Sequence, residues 1–518
     1  MRTRLGLCLI AASLLSCGTD NSDRAANGAL PSGGVAGAAV DGSAGAQAGA
    51  AGTAPADAAG IAPADDGPQG GPGCGLAAAA FCDTFGAPAA TQGRAGELNA
   101  LLWSAGRLDP QLPTANGNAF GIGPATLPTC RANLPAQVFP DQDTLICDPS
   151  DSIAAPHLLV AVAAQNYGQN TYRIRQPFDF SGRTGTITFD AEAYMINSLL
   201  GWISVEITPD PINVPSYAVG GSGVYNDEGS VIPENAIEFQ FSYNCNSTST
   251  APQVALGAII VTQEYSQTTI PSCPWCASIP CINTQQGNLN HFQLAISQSN
   301  VDVSATDFST DGVNFPALTD MFSTSVNLPF TRGYVHITTH NHATIKYSNA
   351  DSWIARWGKV GFDGPIVSNW REYSVPDSLI AGQNETDAPG PVTNVGYVIA
   401  DVSSGPAQTL ELAGVDTSNV SSASISISSW YNNGVDNQTI SQYMLQFRLN
   451  GGAWNQRPLT AGELGVLTGG NNQGVLAQML DVPLSDLVSG DNTLEFVTQN
   501  VAQDYPSAIA NVDLILTQ

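Results

Sequence analysis

The chain has 518 residues, 43% of them hydrophobic and 12% charged, and its 16 basic against 44 acidic residues give a formal charge of −28. That length exceeds what one core usually fills, so at least two folded domains are expected. The acidic balance repels phosphate backbones and anionic lipid surfaces, which excludes nucleic acid as a partner and leaves a membrane reachable only through an anchor.

Residues 1–17, MRTRLGLCLIAASLLSC, begin with Arg2 and Arg4 and continue into an apolar run from Leu5 to Leu15. That run is too short to span a bilayer and reads as an export signal. The ending Leu14-Leu15-Ser16-Cys17 resembles the lipobox of bacterial lipoproteins. The resemblance implies that Cys17 is acylated and becomes the mature N-terminus, anchoring an exported protein at the outer membrane or cell surface. From residue 18 to 72 the chain is Ala, Gly, Ser, Asp and Pro without an aromatic side chain. It cannot bury enough apolar surface to offset its ordering entropy and reads as a disordered tether.

Setting aside Cys8 and Cys17, eight cysteines remain: Cys74, Cys82, Cys130, Cys147, Cys245, Cys273, Cys276 and Cys281. An even number in an exported chain favours disulfides, and proximity groups Cys74 with Cys82, Cys130 with Cys147, and the last four among themselves. The Cys273-Pro274-Trp275-Cys276 spacing lacks the βαβ surroundings of a redox motif and a second half for zinc, so it also reads as structural.

Residues 73–375 are read as the first folded domain. Ile187, Phe189, Ala191 and Ala193 alternate with Thr186, Thr188, Asp190 and Glu192, and Trp202–Thr208, Glu234–Tyr243 and Phe292–Ser297 behave likewise. Period-two alternation between turn-rich loops predicts an antiparallel β-sandwich. From Arg332 a longer strand places Val335, Ile337, Ala343, Ile345 and Tyr347 on one side, interrupted by Thr339 and Asn341. His336, Thr338, His340, His342, Thr344 and Lys346 fall on the other, read as a wet face. His340 and His342 point the same way at about 6.6 Å, a spacing open to metal chelation but without an obvious third ligand.

Phe81-Cys82-Asp83-Thr84-Phe85, Trp103-Ser104, Tyr172-Arg-Ile-Arg175, Arg183-Thr-Gly-Thr-Ile187 and Trp357-Gly-Lys-Val-Gly-Phe-Asp363 together resemble the concanavalin A-like lectin/glucanase jelly roll over residues 80 to 370. The resemblance implies a concave sheet whose polar face binds a glycan or polysaccharide, in some members with calcium and in the glucanase branch with hydrolysis. His336, His340, His342, Glu238 and Trp353 are then the carbohydrate-contacting candidates. Retaining hydrolysis needs two carboxyl groups about 5 to 5.5 Å apart. Glu234 and Glu238 are the nearest match, but Ala236 stands where the glucanase motif carries an acid. No cofactor is assigned; the acidic loop Asp307–Gly312 leaves calcium open.

Residues 376–518 are read as a second β-sandwich, with Asn450-Gly451 a type I′ hairpin signal. Leu480–Leu487 followed by Gly490-Asp491-Asn492-Thr-Leu-Glu-Phe496 resembles the penultimate hairpin of galactose-binding-like sandwiches. Trp430, Tyr431, Trp454 and Arg457 are its platform candidates. The whole reads as a surface-anchored, non-catalytic carbohydrate-binding lipoprotein of two jelly-roll sandwiches. A polysaccharide hydrolase or lyase and a structural or adhesive envelope protein are the alternatives.

Overall fold

A computed structural model of the protein describes residues 71–86, 95–108, 144–147, 155–162, 168–193, 201–213, 217–219, 230–231, 233–243, 253–263, 266–271, 281–285, 287–341, 353–367, 370–375, 398–399, 408–432, 444–469, 473–499 and 508–518. All of these lie in one compact unit, Ala56–Gln518. The export signal with Cys17, nearly all of the tether, His342, and Cys130, Cys245, Cys273 and Cys276 fall outside the described residues.

The described elements are almost all strands. They are β1 (Ala79–Asp83), β2 (Trp103–Leu108), β3 (Thr144–Cys147), β4 (His157–Val162), β5 (Gly168–Ile174), β6 (Phe178–Asp179), β7 (Gly185–Ala191), β8 (Gly201–Thr208), β9 (Tyr217–Val219) and β10 (Ser230–Val231). Then come β11 (Ile237–Tyr243), β12 (Gln253–Gln263), β13 (Ser266–Pro271), β14 (Ile282–Asn283), β15 (Asn290–Ile296), β16 (Asn300–Ala305), β17 (Thr319–Ser325), β18 (Arg332–Asn341), β19 (Trp353–Asp363) and β20 (Trp370–Ser374). The chain closes with β21 (Val398–Ile399), β22 (Gln408–Val415), β23 (Ser422–Asn432), β24 (Met444–Leu449), β25 (Asn455–Pro458), helix α1 (Ala461–Gly469), β26 (Gln473–Val482), β27 (Gly490–Gln499) and β28 (Ala508–Thr517).

The first sandwich packs an eight-stranded sheet, ordered β17-β16-β15-β7-β19-β4-β3 with β1 on β19, against a nine-stranded sheet. The latter is ordered β13-β12-β11-β8-β18-β5-β2, with β14 and β6 added at β12 and β18. Consecutive strands β7 and β8, and again β18 and β19, lie in opposite sheets, the crossing pattern of a jelly roll. The predicted inward side chains of β7, Ile187, Phe189 and Ala191, are buried with Ala193 in the core between the sheets. Phe189 stacks on Phe292 at 4.8 Å and meets Phe241 of the facing sheet at 5.7 Å. Thr339, which interrupts the apolar side of β18, also faces this core and accepts the Trp357 indole N–H at 3.1 Å.

The motif residues behind the jelly-roll resemblance prove to be fold residues. Asp83 accepts the Trp103 indole N–H at 2.7 Å, and Asp363 accepts from Arg183 and the Thr186 amide at 2.8 Å each. The glycine-rich segment Trp357 to Asp363 forms the end of an 11-residue strand between β7 and β4. Gly358 sits at a bulge where a Cβ would come within 2.7 Å of the Asp190 Cβ. The Cys74–Cys82 disulfide is formed as the sequence grouping expects. Cys281 is disulfide-bonded too.

The second sandwich packs β10-β9-β26-β23-β28-β20, with β21 on β28, against β22-β27-β24-β25. Its core includes Leu410, Ile425, Phe447, Leu476, Phe496 and Leu514. Two parts of this sandwich come from outside the stretch after residue 375. The β9–β10 hairpin, inserted between β8 and β11, pairs with β26, and β20 pairs with β28. Asn450 and Gly451 both have positive φ, 50° and 71°, as a type I′ turn requires. Among the described residues no helix is long and apolar enough to cross a membrane, which says nothing of strand-built spans.

Candidate functional site

The polar side of β18 is not wet. His336, Thr338 and His340 are all buried, on the face of the nine-stranded sheet that points away from its core. Alternation distinguishes two faces of a strand but not what covers each, and here both are covered.

Register aligns the polar face into rows across the strands. One row runs Ser104, Arg173, His336, Glu206, Glu238 through β2, β5, β18, β8 and β11. The next runs Thr171, Thr338, Ser204, Gln240, and a third places His340 between Gln169 and Trp202.

At the β2 end, the row is the joint between the sandwiches. Arg173 donates from Nη2 to Glu372 Oε1 on β20 at 2.7 Å, with neither side chain exposed. Ser104 Oγ lies 3.0 Å from Asp513 Oδ2 on β28, and Asn213 donates to the Asn511 carbonyl at 2.6 Å. Burial works against the Glu372 charge, yet the Arg173 and Arg175 guanidinium groups hold its carboxyl below the usual range. His336 is buried beside Arg173, and burial first and that charge second keep its imidazole neutral, well below 6.5. Its Nε2 contacts Thr208 Oγ1 at 2.8 Å; because that hydroxyl donates to the Asp210 carbonyl, it accepts from Nε2–H.

At the β11 end, Glu206 and Glu238 stand directly opposite each other, and with His340 they present ligand atoms all within 4.8 Å of one another. Glu206 accepts the Ser204 hydroxyl on Oε1 and the Thr338 hydroxyl on Oε2 at 2.7 Å. Thr338 is backed by Thr171 at 3.2 Å, and Thr171 by the Gln169 amide at 3.0 Å, so a file of donors ends on Glu206. His340 Nε2 lies 2.9 Å from Ser204 Oγ and 3.8 Å from Glu206 Oε1. Glu238 accepts the Gln240 amide on Oε1 at 3.1 Å, while its Oε2 is buried without a partner. The small apolar cluster of Ala236 and Ile260, backed by Ala258, lies alongside, since Ile260 is the cross-strand neighbour of Glu238.

Burial pushes Glu206 up to about 7 against the pull of its two hydroxyl donors. Burial and then the Glu206 charge push Glu238 to about 7 as well, opposed by His340, Gln240 and Ser204. Two such carboxyls share one proton near neutrality, and Glu206, which accepts two hydroxyls, holds the charge better than Glu238, which accepts one amide.

Of the predicted residues, Glu238, His336 and His340 share this face. Glu234 does not join them. Asn235 adopts φ 60°, which breaks the alternation before β11, and Glu234 instead accepts from Thr460 Oγ1 of the second sandwich at 3.3 Å. Trp353 belongs to β19 in the other sheet. The partner Glu238 does have, Glu206, lies 32 residues earlier, and only strand register could reveal the pairing. In the loop Asp307–Gly312 the acids are consumed locally. Asp311 accepts from Ser309, Val313 and both amides of Asn314, which hold its carboxyl below the usual range, and Asp307 accepts from Asn283. In the second sandwich Arg457 is clamped by Glu463 at 2.6 and 2.7 Å, whereas Trp454 is partly exposed over the Arg448 guanidinium at 4.5 Å. The side chains of Trp430 and Tyr431 lie outside the described residues.

No protein-family model and no curated protein sequence matches the chain. Among solved structures, the glycosyl hydrolase family 16 protein of Mycobacterium smegmatis is 10% identical over 55% of this chain and 100% of its own, with a TM-score of 0.28. The Ca2+-bound VIP36 exoplasmic/lumenal domain is 10% identical over 54% of this chain and 90% of its own, at 0.26. The legume lectin-like domain of Entamoeba histolytica is 6% identical over 40% and 84%, at 0.23. The sheet order described above is the jelly-roll architecture that the sequence motifs resemble.

Proposed function

We propose that the protein binds a carbohydrate, without hydrolysing it, along the polar face of the nine-stranded sheet. The observation that supports this is the row Thr171, Thr338, Ser204 and Gln240, four uncharged hydroxyl and amide groups set side by side on adjacent strands. Strands lie about 4.8 Å apart, so the row sets one hydroxyl or amide group per strand, and half-buried Gln240 is the member that meets a ligand directly. Sugar hydroxyls are matched by such neutral groups without desolvating a charge. Burial eases along the row, since Gln240 is half-buried where Thr171, Thr338 and Ser204 are fully buried, so a saccharide enters from the β11 side. Export, a lipid anchor at Cys17 and a galactose-binding-like second sandwich belong to the same proposal. The Cys74–Cys82 disulfide supports the exported address.

A glycan array followed by calorimetry on the intact chain tests the reading. Gln240→Ala is expected to weaken binding about 2- to 10-fold, the loss of one hydrogen bond. Failure of every glycan to bind overturns it. A hydrolase is the second reading, carried by the Glu206–Glu238 spacing within 4.8 Å, close to the about 5 to 5.5 Å of retaining enzymes. Reducing-sugar release lost in Glu238→Gln would favour it.

A further inference from the structure

We propose that Glu206, Glu238 and His340 form a site for one divalent transition-metal ion, zinc by preference. The proposal goes beyond carbohydrate binding and does not depend on it.

Three observations converge. The three residues sit on adjacent strands β11, β8 and β18, on one rigid face, with their ligand atoms within 4.8 Å of one another. The Glu238 Oε2 oxygen is buried with no partner, so the cluster contains an acceptor that nothing in the protein satisfies. A buried carboxylate oxygen in that state costs about 1–3 kcal/mol or more, and a bound cation removes the cost. Among the described residues, no Arg or Lys pairs with Glu206 or Glu238, in contrast to Glu372 of β20, which Arg173 of the same row meets across the joint.

The donor set selects the ion. Once an incoming ion displaces the proton the pair shares, two carboxylates and a neutral imidazole present a charge of about −2, which a divalent ion neutralises. One ring nitrogen in the set argues against calcium, which takes oxygen ligands, and for zinc, whose three-ligand sites leave a fourth position for water. Zinc bonds to such atoms run about 2.0–2.2 Å, which places tetrahedral ligands roughly 3.4 Å apart. His340 Nε2 and Glu206 Oε1 are already 3.8 Å apart, so the site closes by about 1.4 Å at most on its longest edge, with His340 in the Nδ1–H tautomer when Nε2 is the ligand. Ser204 and Thr338 then act as outer-shell donors that hold Glu206 in orientation, and the file Gln169, Thr171, Thr338 fixes them in turn.

The test uses the whole chain, stripped with a chelator and dialysed, then titrated with Zn2+ and separately with Co2+. One zinc per chain is expected to survive dialysis, and Co2+ should give the visible absorption of a four-coordinate centre. Glu238→Gln, which keeps the side-chain volume, and His340→Ala should each abolish retention. Glu234→Gln, outside the cluster, should bind as the parent does. Thermal unfolding of each variant without metal checks that it folds, and zinc should raise the midpoint of the parent and of Glu234→Gln only. Retention of zinc by Glu238→Gln and His340→Ala would overturn the site. So would a stripped parent that binds no zinc, or that binds calcium in its place.

Discussion

The joint between the sandwiches makes a quantitative demand through Arg173. Its guanidinium meets Glu372 at 2.7 Å with both side chains fully buried, and Arg175 stands farther off, at 3.8 Å. Replacing Arg173 by Met keeps most of the volume but strands a buried carboxylate. Breaking a buried pair by removing one partner typically costs about 3–5 kcal/mol. Part of that is recovered here, because Arg173 Nε and Nη1 have no partners in the native protein and each unsatisfied donor already costs about 1–3 kcal/mol. Taking each donor at the low end, a net loss of about 1–3 kcal/mol is expected for Arg173→Met. Arg173→Met combined with Glu372→Leu should be less destabilised than the sum of the two single changes, because no orphaned charge remains. Urea unfolding followed by tryptophan fluorescence, which reports the buried Trp103 and Trp357, gives all four corners of the cycle. Since the pair bridges two cores, the transitions of both sandwiches should move. Additive losses, or a single-variant cost below about 1 kcal/mol, would refute the reasoning.

Further outcomes follow from other buried contacts. His336 is neutral when folded and its proton affinity is depressed, so below about pH 6.5 the unfolded chain binds a proton that the folded chain does not. Stability therefore falls as the pH drops below that value, by up to about 1.4 kcal/mol per unit, and His336→Gln should flatten this limb in unfolding curves taken between pH 4.5 and 7.5. Trp357→Phe leaves the Thr339 hydroxyl without its indole donor in the core and should cost about 1–3 kcal/mol by thermal denaturation; adding Thr339→Val should restore part of it. Cys82→Ser opens a loop of sequence separation 8 and should lower stability by about 2–3 kcal/mol, with the parent matching the variant once reduced.

The strands and the core were legible because alternation is local. Ile187, Phe189, Ala191 and Ala193 face inward as their spacing requires, and Asn450-Gly451 makes the turn its residue types favour. The cover on the polar face was not legible. Thr188, Asp190 and Glu192 fall on the polar side of the alternation, yet all three are buried, bonded to the Cys74 carbonyl, to His291 and to Arg356 respectively. A period of two says that such residues share a face; what packs on that face is set by chain segments 101 to 164 residues away. The candidate centre failed for the same reason. Glu234 and Glu238 are neighbours in sequence, while the pairing of Glu206 with Glu238 exists only through the β8–β11 register.

The two ends of this face show how a protein handles charge away from water. At one end Arg173 is met by Glu372, carried on a strand of the second sandwich, so docking of the two units and neutralisation of the charge are one event. At the other end two glutamates face each other, and among the described residues their polar neighbours are hydroxyls, an amide and an imidazole. The repulsion there is relieved by a proton that the pair retains to about pH 7, far above the range of an ordinary carboxyl. A row built merely to close the sandwich would place a neutral side chain at one of those two positions, as Thr338, Ser204 and Gln240 do in the row beside it. Retaining both acids, with the Glu238 Oε2 oxygen buried and without a hydrogen-bond partner, is the arrangement that the proposed cation site requires.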